Sequence, residues 1–120
     1  ALPLQGRLVL QPQGFAVHWQ DRQLTLQGRL QLDALDISTR LTPLNPLGSY
    51  RLALQGGDVP SLTLQTLNGA LQLQGQGRWA AGRMQFDGEA SAAPGSEDAL
   101  SNLLNIIGLR NGARSIIHVG

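Results

Sequence analysis

The side chains able to do acid–base, metal or nucleophilic chemistry are few and scattered. His18 and His118 are the only histidines, and neither belongs to a metal-ligand spacing. Asp33 and Asp36 stand three apart in a stretch of loop character. Glu97 and Asp98 are accounted for by the charge preference of a helix start. Neither pair resembles a general acid/base arrangement. The chain has no cysteine, which removes a thiol nucleophile, a disulfide and a cysteine zinc site but does not identify a compartment. Gly75-x-Gly77 is not a dinucleotide fingerprint, because strand alternation continues through it and no helix follows. Phosphate loops and a nucleophile elbow are absent. No catalytic, cofactor-binding or metal residue is assigned, and the reading is that the protein is not an enzyme. Two basic residues near the C-terminus, Arg110 and Arg114, are the candidates for contact with a partner.

Composition narrows the classes further. The 120 residues are 42% hydrophobic, enough for a core and about one domain in size, residues 1–120. Nine Arg, no Lys and a net charge of +1 argue against a general nucleic-acid binder. No apolar run approaches the roughly 20 residues of a membrane helix. The chain opens inside a strand pattern, Ala1-Leu2-Pro3-Leu4, without an initiator Met. That reads as a fragment or processed product, with an anchor upstream.

The elements that must position these residues are mostly strands. Leu62 to Gly95 reads as two hairpins in a row. Asn68-Gly69 predicts a two-residue type I′ turn, which would set Leu64 opposite Leu73 and Leu62 opposite Gly75. Ala81-Gly82 predicts a second turn, with Trp79 opposite Met84 and Gly77 opposite Phe86. Leu71, Leu73, Trp79, Met84 and Phe86 then share one face, and Gln72, Gln74, Arg78, Gln85 and Asp87 the other. A one-residue slip would exchange the faces. Upstream, Leu2, Leu4, Leu8 and Leu10, then Phe15, Val17 and Trp19, then Leu24 to Leu32, alternate with polar or small residues, the mark of strands with one buried face. Thirteen glutamines line the outer faces; a solvated face is the plain account, sugar binding the sharper one.

Glycines Gly6, Gly28, Gly75 and Gly77 fall on the leucine face in mid-strand, where they mark bends or close approaches. With turns at Gln11–Gly14 and at Asp21-Arg22, Trp19 lies across from Gly6 and Phe15 across from Gly28. A ring over a cross-strand glycine restores packing, and a twisted, curved sheet follows. Asp33 to Ser49, which contains Pro43 and Pro46, predicts a connection across the open end of the sheet. Tyr50 to Gln55 resumes a strand. Ser96 is the predicted N-cap of a helix over about 97–107, with Leu100, Leu103, Leu104 and Ile107 at helical spacing and Gly108 as the stop. Asn111-Gly112 predicts a turn before a final strand over about 114–119.

Several of these stretches, in this order, resemble one family. They are Leu47-Gly48-Ser49-Tyr50-Arg51-Leu52, Leu67-Asn68-Gly69-Ala70-Leu71, Gly77-Arg78-Trp79, Phe86-Asp87-Gly88-Glu89-Ala90, and the tail from Leu103 through Arg110-Asn111-Gly112 to Ile117. The family is type II secretion system protein N, the GspN family, in its C-terminal periplasmic part. The resemblance covers roughly Pro43 to Gly120. Where the family often has two basic residues after the helix glycine, this chain has Leu109-Arg110. The resemblance implies an inner-membrane protein with a periplasmic domain, in a machine that moves folded proteins across the outer membrane. It brings no catalytic residues. The partners it implies are other components of that system, the inner-membrane platform proteins or the outer-membrane secretin.

The expected fold is mainly β: a curved antiparallel sheet, a partly rolled meander, with one C-terminal helix packed on its concave face. The expected function is interaction and scaffolding on the periplasmic face of the inner membrane. The alternative is a lipid or glycan binder that uses the concave face. A helix filling the concavity leaves no cavity; a displaced helix leaves an apolar groove. Register is the direct test: the hairpin reading requires Leu64 to pair with Leu73 and Phe86 with Gly77.

Overall fold

The structure is a computed structural model and describes residues 4–120; the part of the first alternating run at Leu2 lies outside them. Eight strands form one antiparallel sheet that does not close. They are β1 (Leu4–Gln20), β2 (Gln23–Thr39), β3 (Gly48–Gln55), β4 (Ser61–Gly69), β5 (Leu71–Ala80), β6 (Arg83–Ala92), β7 (Leu109–Asn111) and β8 (Arg114–Val119). The spatial order is β1-β2-β3-β4-β5-β6-β8-β7, a meander up to β6. The helix α1 (Glu97–Ile107) enters between β6 and β7 and lies on the leucine face. The mainly β fold with one short helix is as the alternation and the single helical stripe predict.

Cross-strand register shows how period-two alternation becomes a face. Leu10 pairs with Leu32, Leu32 with Leu52, Leu52 with Leu64, Leu64 with Gly75, Gly75 with Gly88 and Gly88 with Ile117. One apolar row therefore crosses seven strands, because each partner sits on the same side of the pleat. At Ala81-Gly82 both residues have positive φ, 53° and 78°, and Trp79–Met84 and Gly77–Phe86 pair as predicted. The Phe86 ring lies where Cβ atoms on Gly77 and Gly88 would stand, at 3.1 and 2.9 Å. The ring thus fills the space that these glycines leave.

Three local predictions fail. Asn68-Gly69 does not turn: both remain in β4 and pair with Ser49 and Gly48 of β3. A Cβ on Gly69 would strike the backbone of Leu47 and Gly48, so this glycine serves a close approach of two strands. The Thr66 hydroxyl takes over the ladder near the reversal, accepting from the Leu73 N–H at 2.6 Å and donating to its carbonyl at 2.8 Å. Leu64 consequently pairs with Gly75, and Leu62 with Gly77. That shift of two residues preserves the faces, as a shift of one would not.

Gln11–Gly14 is likewise no turn. β1 runs through it, with Gly14 (φ 59°) and Phe15 together opposite Gly28 in a bulge. Phe15 thus lies near Gly28, but Trp19 pairs with Leu24, not Gly6. Finally, Asp33–Thr39 belongs to β2; the connection is only the stretch 40–47. Asp36, at φ 52°, is the extra residue of a bulge. The Ser49 hydroxyl accepts its freed N–H at 2.9 Å, so the alternation breaks without the strand ending.

The buried core sits at one end of the sheet. Leu100, Leu103 and Leu104 of α1 pack with Leu47, Tyr50, Leu71 and Ala90. The Tyr50 hydroxyl donates to the Leu71 carbonyl at 2.8 Å, and Thr42 donates to the Ala99 carbonyl at 2.9 Å, tying the 40–47 connection to the helix. Burial pushes the Tyr50 phenol up from its ordinary pKa, so it stays a neutral donor. The Ser96 side chain makes no cap bond; its carbonyl accepts the Leu100 N–H, and the Glu97 carboxylate accepts the Gly95 N–H at 2.9 Å. Gly108 is extended. Glycine suits this position because a Cβ there would stand 2.5 Å from the Ile116 carbonyl oxygen, not because a left-handed cap is needed. The turn before β8 falls at Gly112-Ala113, one residue beyond the predicted pair. Leu103→Ala and Leu104→Ala, at fully buried positions, should each cost about 2–5 kcal/mol in chemical denaturation. Losses under about 1 kcal/mol for both would mean that α1 is not docked on the sheet.

Candidate functional site

Two surfaces stand out, although single exposed apolar side chains such as Val17, Trp19 and Val59 occur elsewhere. The first is an apolar trough. Because α1 is short and packs at the β6, β7 and β8 end, the leucines of β1 to β4 are left largely without a cover. The result is a cavity of about 540 Å³, with Leu4 and Leu8 at one wall, Leu32, Ala34, Leu52 and Leu64 on the floor, and Leu103 and Ile107 of α1 at the other wall. Among the described residues its polar side chains are Gln5, Thr39 and Tyr50, and the Tyr50 hydroxyl is already bonded. The helix is displaced toward one end of the leucine face, and an apolar groove remains beside it.

The second surface is the corner formed by β7, β8 and the end of α1. Leu109 pairs with Ile116 on the outward face, and both are exposed, Leu109 by 77%. Arg114 stands on that face as well, beside Glu89 at 3.3 Å. The arginine side of this pair is exposed, while Glu89 is half-buried and also accepts from Gln74 at 2.6 Å; a pair of this length near the surface contributes little to stability. Arg110 points to the opposite side and staples β7 to α1. Its guanidinium donates to the Ser101 carbonyl and hydroxyl, the Asn105 side chain and the Gly112 carbonyl, at 3.0–3.3 Å. The two arginines singled out in the sequence therefore lie on one corner but face opposite ways. Sequence reasoning passed over Leu109 and Ile116; an apolar pair in a face otherwise filled with glutamine was the available signal.

The sheet has two outer strands of unequal character. β7 is three residues long. β1 is 17 residues long, but Pro12 lies inside it. A proline in a paired strand places its missing N–H on the side away from the ladder, here the open edge, and the Gly14–Phe15 bulge follows directly. Both devices interrupt strand addition.

Two further ion pairs lie on the outward face. Arg51 forms a two-pronged bond with Asp33, at 2.8 and 3.0 Å, across β2 and β3 on the outward face. That hydrogen bond holds the Asp33 carboxyl below the usual carboxylate range and raises the arginine. His118 Nδ1 meets Asp87 at 2.5 Å on the exposed face. Among the described residues, no group of three or more His, Cys, Asp or Glu is placed to hold a metal ion, and no helix is long and apolar enough to cross a membrane.

The described residues thus form an open antiparallel sheet that carries one helix, an apolar trough and an exposed apolar–basic corner. The chain belongs to the type II secretion system protein N family, whose family model matches residues 1–117. The match extends the resemblance of the C-terminal two-thirds over the first strands. No curated protein and no solved structure matches the chain. Members of the family are secretion-system components, associated with the cell envelope, and are not known as enzymes.

The Asp33–Arg51 pair sets a pH dependence. Asp33 titrates lower in the folded chain than in the unfolded one, so its contribution is present above the ordinary carboxylate pKa of about 4 and is lost as pH falls through the folded value. Arg51→Ala should therefore lower the midpoint of denaturation at pH 7, and the gap from the parent should narrow below about pH 4. A gap that does not change with pH would mean that the pair contributes through packing alone.

Proposed function

We propose that the domain is a periplasmic docking module of a type II secretion system, held at the inner membrane. In this reading it contacts a periplasmic domain of an inner-membrane platform protein or of the outer-membrane secretin. The observation that carries it is the β7–β8 corner: an exposed Leu109–Ile116 pair next to a largely exposed cation, Arg114, whose partner among the described residues is Glu89 at 3.3 Å. A partner with an apolar side chain flanked by an acidic one buries the pair and takes Arg114 from Glu89. Arg110 contributes by keeping β7 against α1, so that the corner is rigid before contact. Arginine is enriched among the residues that dominate binding energy at protein interfaces. Their rigidity lowers the entropic cost of docking.

Family membership supports a partner within the secretion apparatus. The interrupted edge of β1 supports docking at the opposite end of the sheet. A photo-crosslinking residue in place of Leu109, in the full-length protein of secreting cells, should give an adduct with a component of the apparatus. Arg114→Glu should reduce that adduct several-fold. Adducts formed from a probe at Trp19 and none from Leu109 would move the interface to the β1–β2 ribbon and overturn this assignment.

A further inference from the structure

We infer that the trough between α1 and strands β1 to β4 binds the acyl chain of a phospholipid. Three features choose among possible occupants. The first is shape. The trough holds about 540 Å³ between side chains of β1 to β4 and those of α1, within the range of small-molecule pockets and suited to a slender hydrocarbon chain.

The second is hydrogen bonding. An extended peptide carries an N–H and a C=O at each residue, and a glycan carries hydroxyls; burying these without partners costs free energy. The trough offers almost nothing to meet them: the Tyr50 hydroxyl is held by Leu71, and among the described residues Gln5 and Thr39 are the other polar side chains on the lining. A hydrocarbon chain asks for no partner.

The third is charge and access. Among the described residues no charged side chain lines the trough, so none of them recognises a head group. The lining continues outward into Leu4 and Leu8 of β1, which are 56% and 65% exposed. A chain can therefore enter along the β1 side while the head group stays in water. Each methylene withdrawn from water contributes to binding, so affinity grows with chain length. The site is separate from the β7–β8 corner and does not depend on the docking role.

The test uses the chain and phosphatidylglycerol vesicles in which one acyl chain carries pyrene. Transfer of the labelled lipid should raise pyrene monomer fluorescence and saturate at one lipid per protein. Leu8→Asp and, separately, Leu4→Asp put a charge on the trough wall at exposed positions that the fold tolerates, as far-UV circular dichroism checks. Each should weaken binding at least tenfold, whereas Leu109→Asp, at the far corner, should bind like the parent. No transfer, equal loss with Leu109→Asp, or binding of a pyrene-labelled free fatty acid but not of the phospholipid would each overturn the proposal.

Discussion

Burial of the leucine stripe of α1 is the interaction on which the rest of the structure depends. Leu100, Leu103 and Leu104 are nearly inaccessible. They collect Leu47 from the connection, Tyr50 from β3, Leu71 from β5 and Ala90 from β6 into the one core cluster. A sheet with one wet face is not stable alone; its other face needs a cover. Here the cover is eleven residues long and reaches only part of a face that is eight strands wide. The mismatch between a short helix and a broad leucine face creates the trough. It also explains why so many leucines of β1 stay exposed in a chain with a well-packed core.

The same constraint orders the edges. At the α1 end, β7 and β8 form a small flap whose inner side is held by Gly108 and Arg110, so its outer side can carry Leu109 and Ile116. At the other end, β1 lies far from the helix and must manage its own open edge. Pro12 and the adjacent bulge do that. The bulges at Asp36 and at Ser49–Leu67, with Gly6 opposite Asp36, fall at one level across neighbouring strands. Bulges bend and twist a ladder. This line is where the long β1–β2 ribbon leaves the core.

Much of this was legible in the chain because period-two and helical spacing report directly on faces. The parity of Leu71, Leu73, Trp79, Met84 and Phe86, the Ala81-Gly82 turn and the limits of α1 follow from local rules. What the sequence concealed is long-range. Asn68-Gly69 has the chemistry of a tight turn, yet β3 claims both residues for pairing, a competition that no local window contains. Gln11–Gly14 has the composition of a turn, yet its glycine serves a bulge and its proline an edge. Gly108 looks like a helix cap and is instead a point of contact with β8. Arg110 and Arg114 could be picked out as basic residues near a turn. Which one is spent on the helix and which is offered outward depends on the face that each occupies once β7 pairs with β8. The trough was legible only as an alternative, since helix length alone does not say which strands it will cover.

The central claim is that stability is concentrated under α1 while the β1–β4 side of the leucine face stands open. Native-state amide exchange measures this directly. The buried amides of α1, β5 and β6 should exchange only by global unfolding. Those of Ala16–Gln20 and Gln23–Gly28 should exchange orders of magnitude faster by local opening. Uniform protection from β1 to β8, or a helix that exchanges faster than the β1–β2 ribbon, would contradict the account.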